Sequence, residues 1–133
     1  MATLRVRRRI PVGGTPGLSP NGRSAALGGF DGSVAILDLR TGERRTLAGR
    51  HEDRVRALAF SADGRTLATT AGDGRVLVWD LRSGEVRETL TGHTGAVNIL
   101  RFSDDGRTLY TAGLDGRIIV WDLAGDRRLA RPM

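Results

Sequence analysis

The sequence predicts an all-β chain built from about three repeats of one unit, each a four-stranded antiparallel sheet. Three observations carry this. The stretch TLATTAGDGRVLVWDLRSGE, Thr66 to Glu85, recurs 42 residues later as TLYTAGLDGRIIVWDLAGD, Thr108 to Asp126. A worn copy, SAALGGFDGSVAILDLRTGE, lies 42 residues upstream at Ser24 to Glu43, and from Ser61 to Leu81 the two better copies agree at 14 of 21 positions. A fixed period of this size marks a repeat architecture. Second, tight-turn pairs recur at Asn21-Gly22, Asp31-Gly32, Asp63-Gly64, Asp73-Gly74, Asp105-Gly106 and Asp115-Gly116. Such pairs supply the positive φ that short hairpins need. Third, no stretch has helical periodicity.

Taken in order, Thr3 to Val12 alternates Leu4, Val6 and Ile10 with arginines and reads as a half-polar edge strand. Gly13 to Asn21, GGTPGLSPN, holds two prolines, which a well-paired central strand does not tolerate. The first unit therefore has a shortened innermost strand there, followed by strands near 23–27, 33–39 and 44–48. The second unit runs 54–60, 66–71, 75–81 and 86–90. The third runs 96–102, 108–112, 117–123 and a curtailed 127–130. The implied divisions are residues 1–20 (an outer strand and the irregular innermost strand of a degenerate first unit), 21–50 (the rest of that unit), 51–92 and 93–133.

Polarity within a unit indicates how the units stack. VLVWDL (Val76 to Leu81) and IIVWDL (Ile118 to Leu123) are apolar on both faces, whereas EVRETL (Glu85 to Leu90) alternates and is mostly polar. A strand buried on both sides lies between two packed layers. This fits a radial stack with the outer strand toward water.

The residues bearing the repeat resemble the WD-repeat (WD40) family of β-propellers. The second unit carries Gly49, His51, Asp73, Gly74, Trp79 and Asp80; the third carries Gly92, His93, Asp115, Gly116, Trp121 and Asp122. A glycine–histidine element, an Asp-Gly turn and a terminal Trp-Asp at this spacing form a specific signature. The resemblance implies a partial β-propeller of about three four-stranded blades. It also implies two structural networks, His51, Thr69, Asp73, Trp79 and His93, Thr111, Asp115, Trp121. The first three members of each set have the composition of a hydrolase triad. Their duplication at repeat positions favours a structural role, so no catalytic residue is expected. In the first blade Leu27 and Leu37 stand where the hydroxyl and the tryptophan belong, and only Asp31 remains.

By the same resemblance the chain is a rigid, non-catalytic scaffold for a protein or peptide. The contact positions it implies are Phe30, Arg54, Gly72, Arg75, Gly95, Leu114 and Arg117, on the face bearing the histidine loops and Asp-Gly turns. Closed propellers typically have about 4–8 blades, so three imply further blades of a longer chain or self-association. The ending WDLAGDRRLARPM resembles propeller segments of bacterial multidomain regulators. The alternative, an oligomeric ring binding a small molecule or glycan, needs aromatic side chains repeated at binding positions. The chain has six aromatics, four of them at core repeat positions.

Composition bounds the rest. The 133 residues include no cysteine, which excludes disulfides, thiolate nucleophiles and Cys-ligated zinc. No P-loop, dinucleotide-binding or His-Glu-x-x-His motif occurs, so no cofactor or metal is expected. Asp63 and Asp105 read as turn formers, not calcium ligands. The net charge is +6 and all 21 basic residues are arginine, a choice that fits a GC-rich genome. The arginines alternate with fifteen acids, as on a solvated surface. Nucleic acid is disfavoured, because no aromatic or amide side chain near Arg7, Arg8 and Arg9 could stack on or read a base. No apolar run reaches the length of a membrane span. The basic start has no apolar segment behind it, so a cytoplasmic location is expected.

Overall fold

The computed structural model describes residues 4–6, 9–123 and 131–132. They are all β, as expected, and form a three-blade arc of a propeller. Blade one consists of β1 (Thr15–Leu18), β2 (Ser24–Gly28), β3 (Ser33–Asp38) and β4 (Arg44–Arg50). Blade two consists of β5 (Val55–Phe60), β6 (Thr66–Ala71), β7 (Val76–Asp80) and β8 (Glu85–Leu90). Blade three consists of β9 (Val97–Phe102), β10 (Thr108–Gly113), β11 (Ile118–Asp122) and β12 (Arg131–Pro132). Each blade is an antiparallel meander. One parallel bridge, Ala48 to Glu85, joins the outer strands of blades one and two, so their ladders run on as an eight-stranded sheet.

The alternation of each strand sorts its side chains between two junctions. Between blades one and two the core is Ala26, Val34, Leu47, Val55, Leu67, Leu77 and Trp79, with Leu58 and Phe60 packed on it. Ala68, Val76, Val78, Val97, Leu109, Ile119 and Trp121 fill the junction of blades two and three, with Ala59 and Leu100 against them. The strands that read as apolar on both faces are thus the ones that serve two layers. β7 shows this best: Val76, Val78 and Trp79 are wholly buried and Leu77 nearly so. β8 alternates exposed and half-buried positions, as the outermost strand should.

The Asp-Gly turns lock each blade to the next. Gly32 and Gly74 have φ of 86° and 79°, which favours glycine. A Cβ on Gly32 would also run into the carbonyl of His51, and one on Gly74 would stand 3.0 Å from the carbonyl of His93. Gly116, the third of the series, has nothing within 4 Å of such a Cβ.

Blade one has the shortened innermost strand expected of it, four residues in β1 against six in β5 and in β9, and this strand forms despite Pro16. β1 pairs only with β2, so Pro16 sits on an edge strand, where a missing N–H can face away from the ladder. The expected strand over 3–12 is not formed: its described residues, 4–6 and 9–12, are irregular. An edge strand needs a free ladder edge beside it, and the outer edge of β11 is taken by β12, through Ile119–Pro132 and Val120–Arg131. Ile10 and Val12 pack on Ala25, Leu27 and Leu37, and the Arg44 guanidinium donates to the Pro11 carbonyl at 3.2 Å. Ile10 and Val12 therefore cover part of the flank of blade one, while Leu4 and Val6 stay exposed. The strand expected at 127–130 lies outside the described residues.

Candidate functional site

The two histidine sets are built alike. His51 follows β4, in the loop that leads to β5. Thr69 lies in β6 and Trp79 in β7, both on the face turned toward blade one; Asp73 sits in the turn between these strands. Trp79 Nε1 donates to Thr69 Oγ1 at 2.9 Å, and that oxygen is 2.8 Å from His51 Nε2. Blade three repeats this: Trp121 Nε1 donates to Thr111 Oγ1 at 2.8 Å, and His93 Nε2 is 2.8 Å away. An indole N–H only donates, so the threonine hydrogen is free to go to the histidine Nε2. That assigns the ring proton to Nδ1, facing the aspartate.

The sets differ at that aspartate. His93 Nδ1 lies 3.0 and 3.2 Å from the two Asp115 oxygens, a hydrogen-bonded pair. His51 Nδ1 stands 3.5 Å from Asp73 Oδ2, is fully buried and makes no hydrogen bond. Asp73 is held by the N–H of Arg75 at 3.0 Å and that of Glu52 at 3.3 Å. Asp115 takes the N–H groups of Arg117 and Thr94. The Thr94 N–H is the chief reason the Asp115 carboxyl titrates below its ordinary range. Burial pushes His51 down from 6.5, opposed in part by the Asp73 carboxylate. In blade one, Asp31 instead closes its own turn, accepting from Ser33 Oγ at 2.6 Å and Ser33 N at 2.9 Å.

Chemically, these sets are closed to a substrate. Thr69 is 0% exposed and Thr111 1%, and each hydroxyl is already engaged by tryptophan and histidine. A nucleophile must reach the carbonyl or phosphorus it attacks. Among the described residues no group of three or more histidine, aspartate or glutamate side chains stands together to hold a metal ion.

The expected contact positions lie in the loops at the same end of the blades. Phe30 is 67% exposed and Leu114 71%, so neither is spent on packing beside its turn. The Arg54 guanidinium sits 5.8 Å from the Phe30 ring centroid, within cation–π range. Phe30 and Arg54 share a shallow pocket of about 210 Å³ with Thr15, Arg56 and Asn98. Arg75 is exposed and lies 3.7 Å from Glu52. Gly72 backs onto the Asp53 carboxylate, and Gly95 onto Leu114 and Asp115. Arg117 is exposed. Thus Phe30 and Arg54 are brought together, as are Gly95 and Leu114; nothing draws all seven into one cleft.

Sequence reasoning missed the polar contacts between blades. Thr15 Oγ1 donates to the Val55 carbonyl at 3.1 Å, and Thr70 Oγ1 to the Val97 carbonyl at 2.7 Å. The available signal was a hydroxyl at one inner-strand position of each of the first two blades. It is weak, because the two threonines do not occupy equivalent repeat positions.

Comparison with known proteins follows the same lines. A family profile described as WD domain, G-beta repeat, matches residues 43–80 and 84–122. Each match runs from the outer strand of one blade through the third strand of the next. Among solved structures 1167 chains match. The structure of U3-55K superposes with a TM-score of 0.79 at 26% identity, over 90% of this chain. The chain spans 39% of the length of that one. No curated protein matches.

Proposed function

The chain belongs to the WD40 repeat family, and from that premise we propose that it is a non-catalytic scaffold for a protein or peptide partner, within a larger or self-associating propeller. WD40 repeats typically mediate protein–protein interaction. The observation that carries the reading for this chain is the closure of both histidine sets. The same four residue types occur at the same spacing in two blades, with the threonines out of reach of solvent. Such networks satisfy buried polar groups and fix loops. The loops they fix carry the surface proposed to bind: Phe30, Arg54, Gly72, Arg75, Gly95, Leu114 and Arg117. Exposed Phe30 and Leu114 supply apolar anchors, and the arginines supply directional donors.

A ring that binds a small molecule or glycan is not favoured. The pocket under Phe30 falls below the usual range of about 300–1,000 Å³ for such ligands. The wider hollow at the other end of blade one, about 560 Å³, is lined by Asn21, Arg23, Ser24, Asp38 and Arg40, with no aromatic side chain. The setting we assign is a bacterial regulatory protein in the cytoplasm, on the strength of the arginine-only basic set and the closing segment. Among the described residues no helix is long and apolar enough to cross a membrane.

His51→Ala tests the reading. Stability should fall, and generic ester and phosphoester substrates should show no turnover in either the wild type or the variant. Turnover by the wild type, lost in a variant that stays folded, contradicts it.

A further inference from the structure

The pocket under Phe30 stands at one seam only. Phe30 lies in the turn between β2 and β3, and Arg54 in the loop that enters β5, so the two meet where blade one adjoins blade two. The 42-residue repeat gives the matching positions at the next seam: Gly72 for Phe30, Ala96 for Arg54 and Asn98 for Arg56. There the chain makes the same turns without an aromatic ring or a cation. The fold of the repeat therefore does not require Phe30, Arg54 and Arg56. The walls of the pocket come from blades one, two and three, with Asn98 the contribution of blade three, so they do not depend on what packs against either flank.

The polar groups of the pocket converge as donors. Thr15 spends its hydroxyl hydrogen on the Val55 carbonyl. That leaves the Arg54 and Arg56 guanidiniums and the Asn98 amide, all three on exposed residues. Among the described residues no carboxylate lies within 4 Å of either guanidinium. Arg75, on the same face, stands 3.7 Å from Glu52. The nearest acid in sequence, Asp53, accepts the Arg54 backbone N–H at 2.7 Å and is turned to Gly72, where a Cβ would run into it. Two cations without a counter-ion in one recess repel each other, and an anion seated there relieves both. Arg54 is also set in advance: its carbonyl accepts from the Gly72 N–H at 3.3 Å, and its guanidinium rests 5.8 Å from the Phe30 centroid. A planar guanidinium held on an aromatic face loses less freedom when it bonds a carboxylate.

We propose that this pocket seats an acidic side chain of a linear protein segment. An Asp or Glu carboxylate bonds Arg54, Arg56 and the Asn98 amide, and an apolar residue beside it in the segment covers the exposed part of the Phe30 ring. The seat belongs to the loop face proposed above and stands only if that face binds; it adds Arg56 and Asn98 to the surface and fixes the charge of the partner. About 210 Å³ suits a single side chain better than a free ligand, whose pockets start near 300 Å³. Single-stranded nucleic acid is the other anion with apolar groups to stack. It needs a basic groove with successive aromatic platforms, and the next seam offers Ala96 and Gly72 in place of both.

The test is selection of short random peptides, displayed on phage, against the immobilised 133-residue chain. Enriched peptides should carry Asp or Glu next to an aliphatic or aromatic residue. Synthetic copies should bind Arg56→Gln about tenfold more weakly or worse, as for a lost hydrogen bond to a charged group, and Arg82→Gln as well as the wild type. Arg82 is exposed in the β7–β8 turn at the opposite end of the blade, so the two variants lose the same charge. Circular dichroism checks that both stay folded. Peptides without an acid overturn the proposal, as do acidic peptides that are indifferent to Arg56→Gln or weakened equally by Arg82→Gln. If such peptides are lost with Phe30→Ala or Leu114→Ala, the loop face remains the binding face and only the acidic seat falls. If no peptide is selected, or none responds to a change on that face, both fall. A single-stranded oligonucleotide that binds more tightly than any peptide, and loses that binding with Arg56→Gln, would make the pocket a phosphate site and overturns the assignment to a protein segment.

Discussion

At the scale of single residues, the two histidine sets are not equivalent, and acid should tell them apart. His51 is buried with Nδ1 lacking a hydrogen bond, whereas His93 is bonded to Asp115. Burial lowers the folded value of His51 below 6.5, so on acidification the unfolded chain takes up the proton first. The stability His51 contributes is therefore whole above pH 6.5 and is lost as pH falls from there through the lowered folded value. The turn carboxylates act in the same direction lower on the scale. Asp63 and Asp105 are held below 3.8 first by the Ser61 and Ser103 hydroxyls, then by the N–H groups of Arg65 and Arg107. Their contribution is present above 3.8 and lost as pH drops through the folded values. Urea midpoints measured against pH should fall in two stages, and His51→Gln should flatten the first. An unchanged slope in that variant would place the first stage elsewhere.

At the scale of elements, strands and turns were legible because they are set by local chemistry. Alternation set β8, doubly apolar runs set β7 and β11, and the Asn-Gly and Asp-Gly pairs fell at the hairpins. The network residues were legible through the repeat, which fixes position without knowledge of contacts. The opening segment was not. Its alternation is that of a strand, but a strand also requires a ladder, and whether one is free is a tertiary fact. Ile10 and Val12 found the side chains of Leu27 and Leu37 instead. The seams between blades were hidden for a similar reason: a small residue in an inner strand looks the same whether it faces a neighbour or water. The seams can be probed through Thr70, which is wholly buried and bonds the Val97 carbonyl. Thr70→Val keeps the shape and removes that hydrogen bond, at about 0.5–1.5 kcal/mol. Equilibrium unfolding in urea measures it. A cost near zero would mean that water replaces the hydroxyl and the seam is loose.

At the scale of the whole molecule, the blades share their cores. Trp121 packs in one cluster with Val76 and Val78 of blade two, and Trp79 in another with Ala26 and Val34 of blade one. Neither end is finished in the same way as the junctions. Blade one has Ile10 and Val12 packed on its flank, while blade three presents Ile99, Tyr110 and Ile118 to solvent. Three blades coupled in this manner should unfold together, and a change deep in blade three should be felt by all. Trp121→Ala removes a side chain that fills the second seam and bonds Thr111. The unfolding free energy of this variant, from urea titration followed by circular dichroism, is the most direct measure of the account. It should fall by about 3–5 kcal/mol, as for a large buried aromatic, in a single transition shifted as a whole. Leu37→Ala, at the matching position of blade one where no polar network depends on it, should cost less. A Trp121→Ala protein with wild-type stability would contradict the assignment of this chain as blades held together through their tryptophan networks.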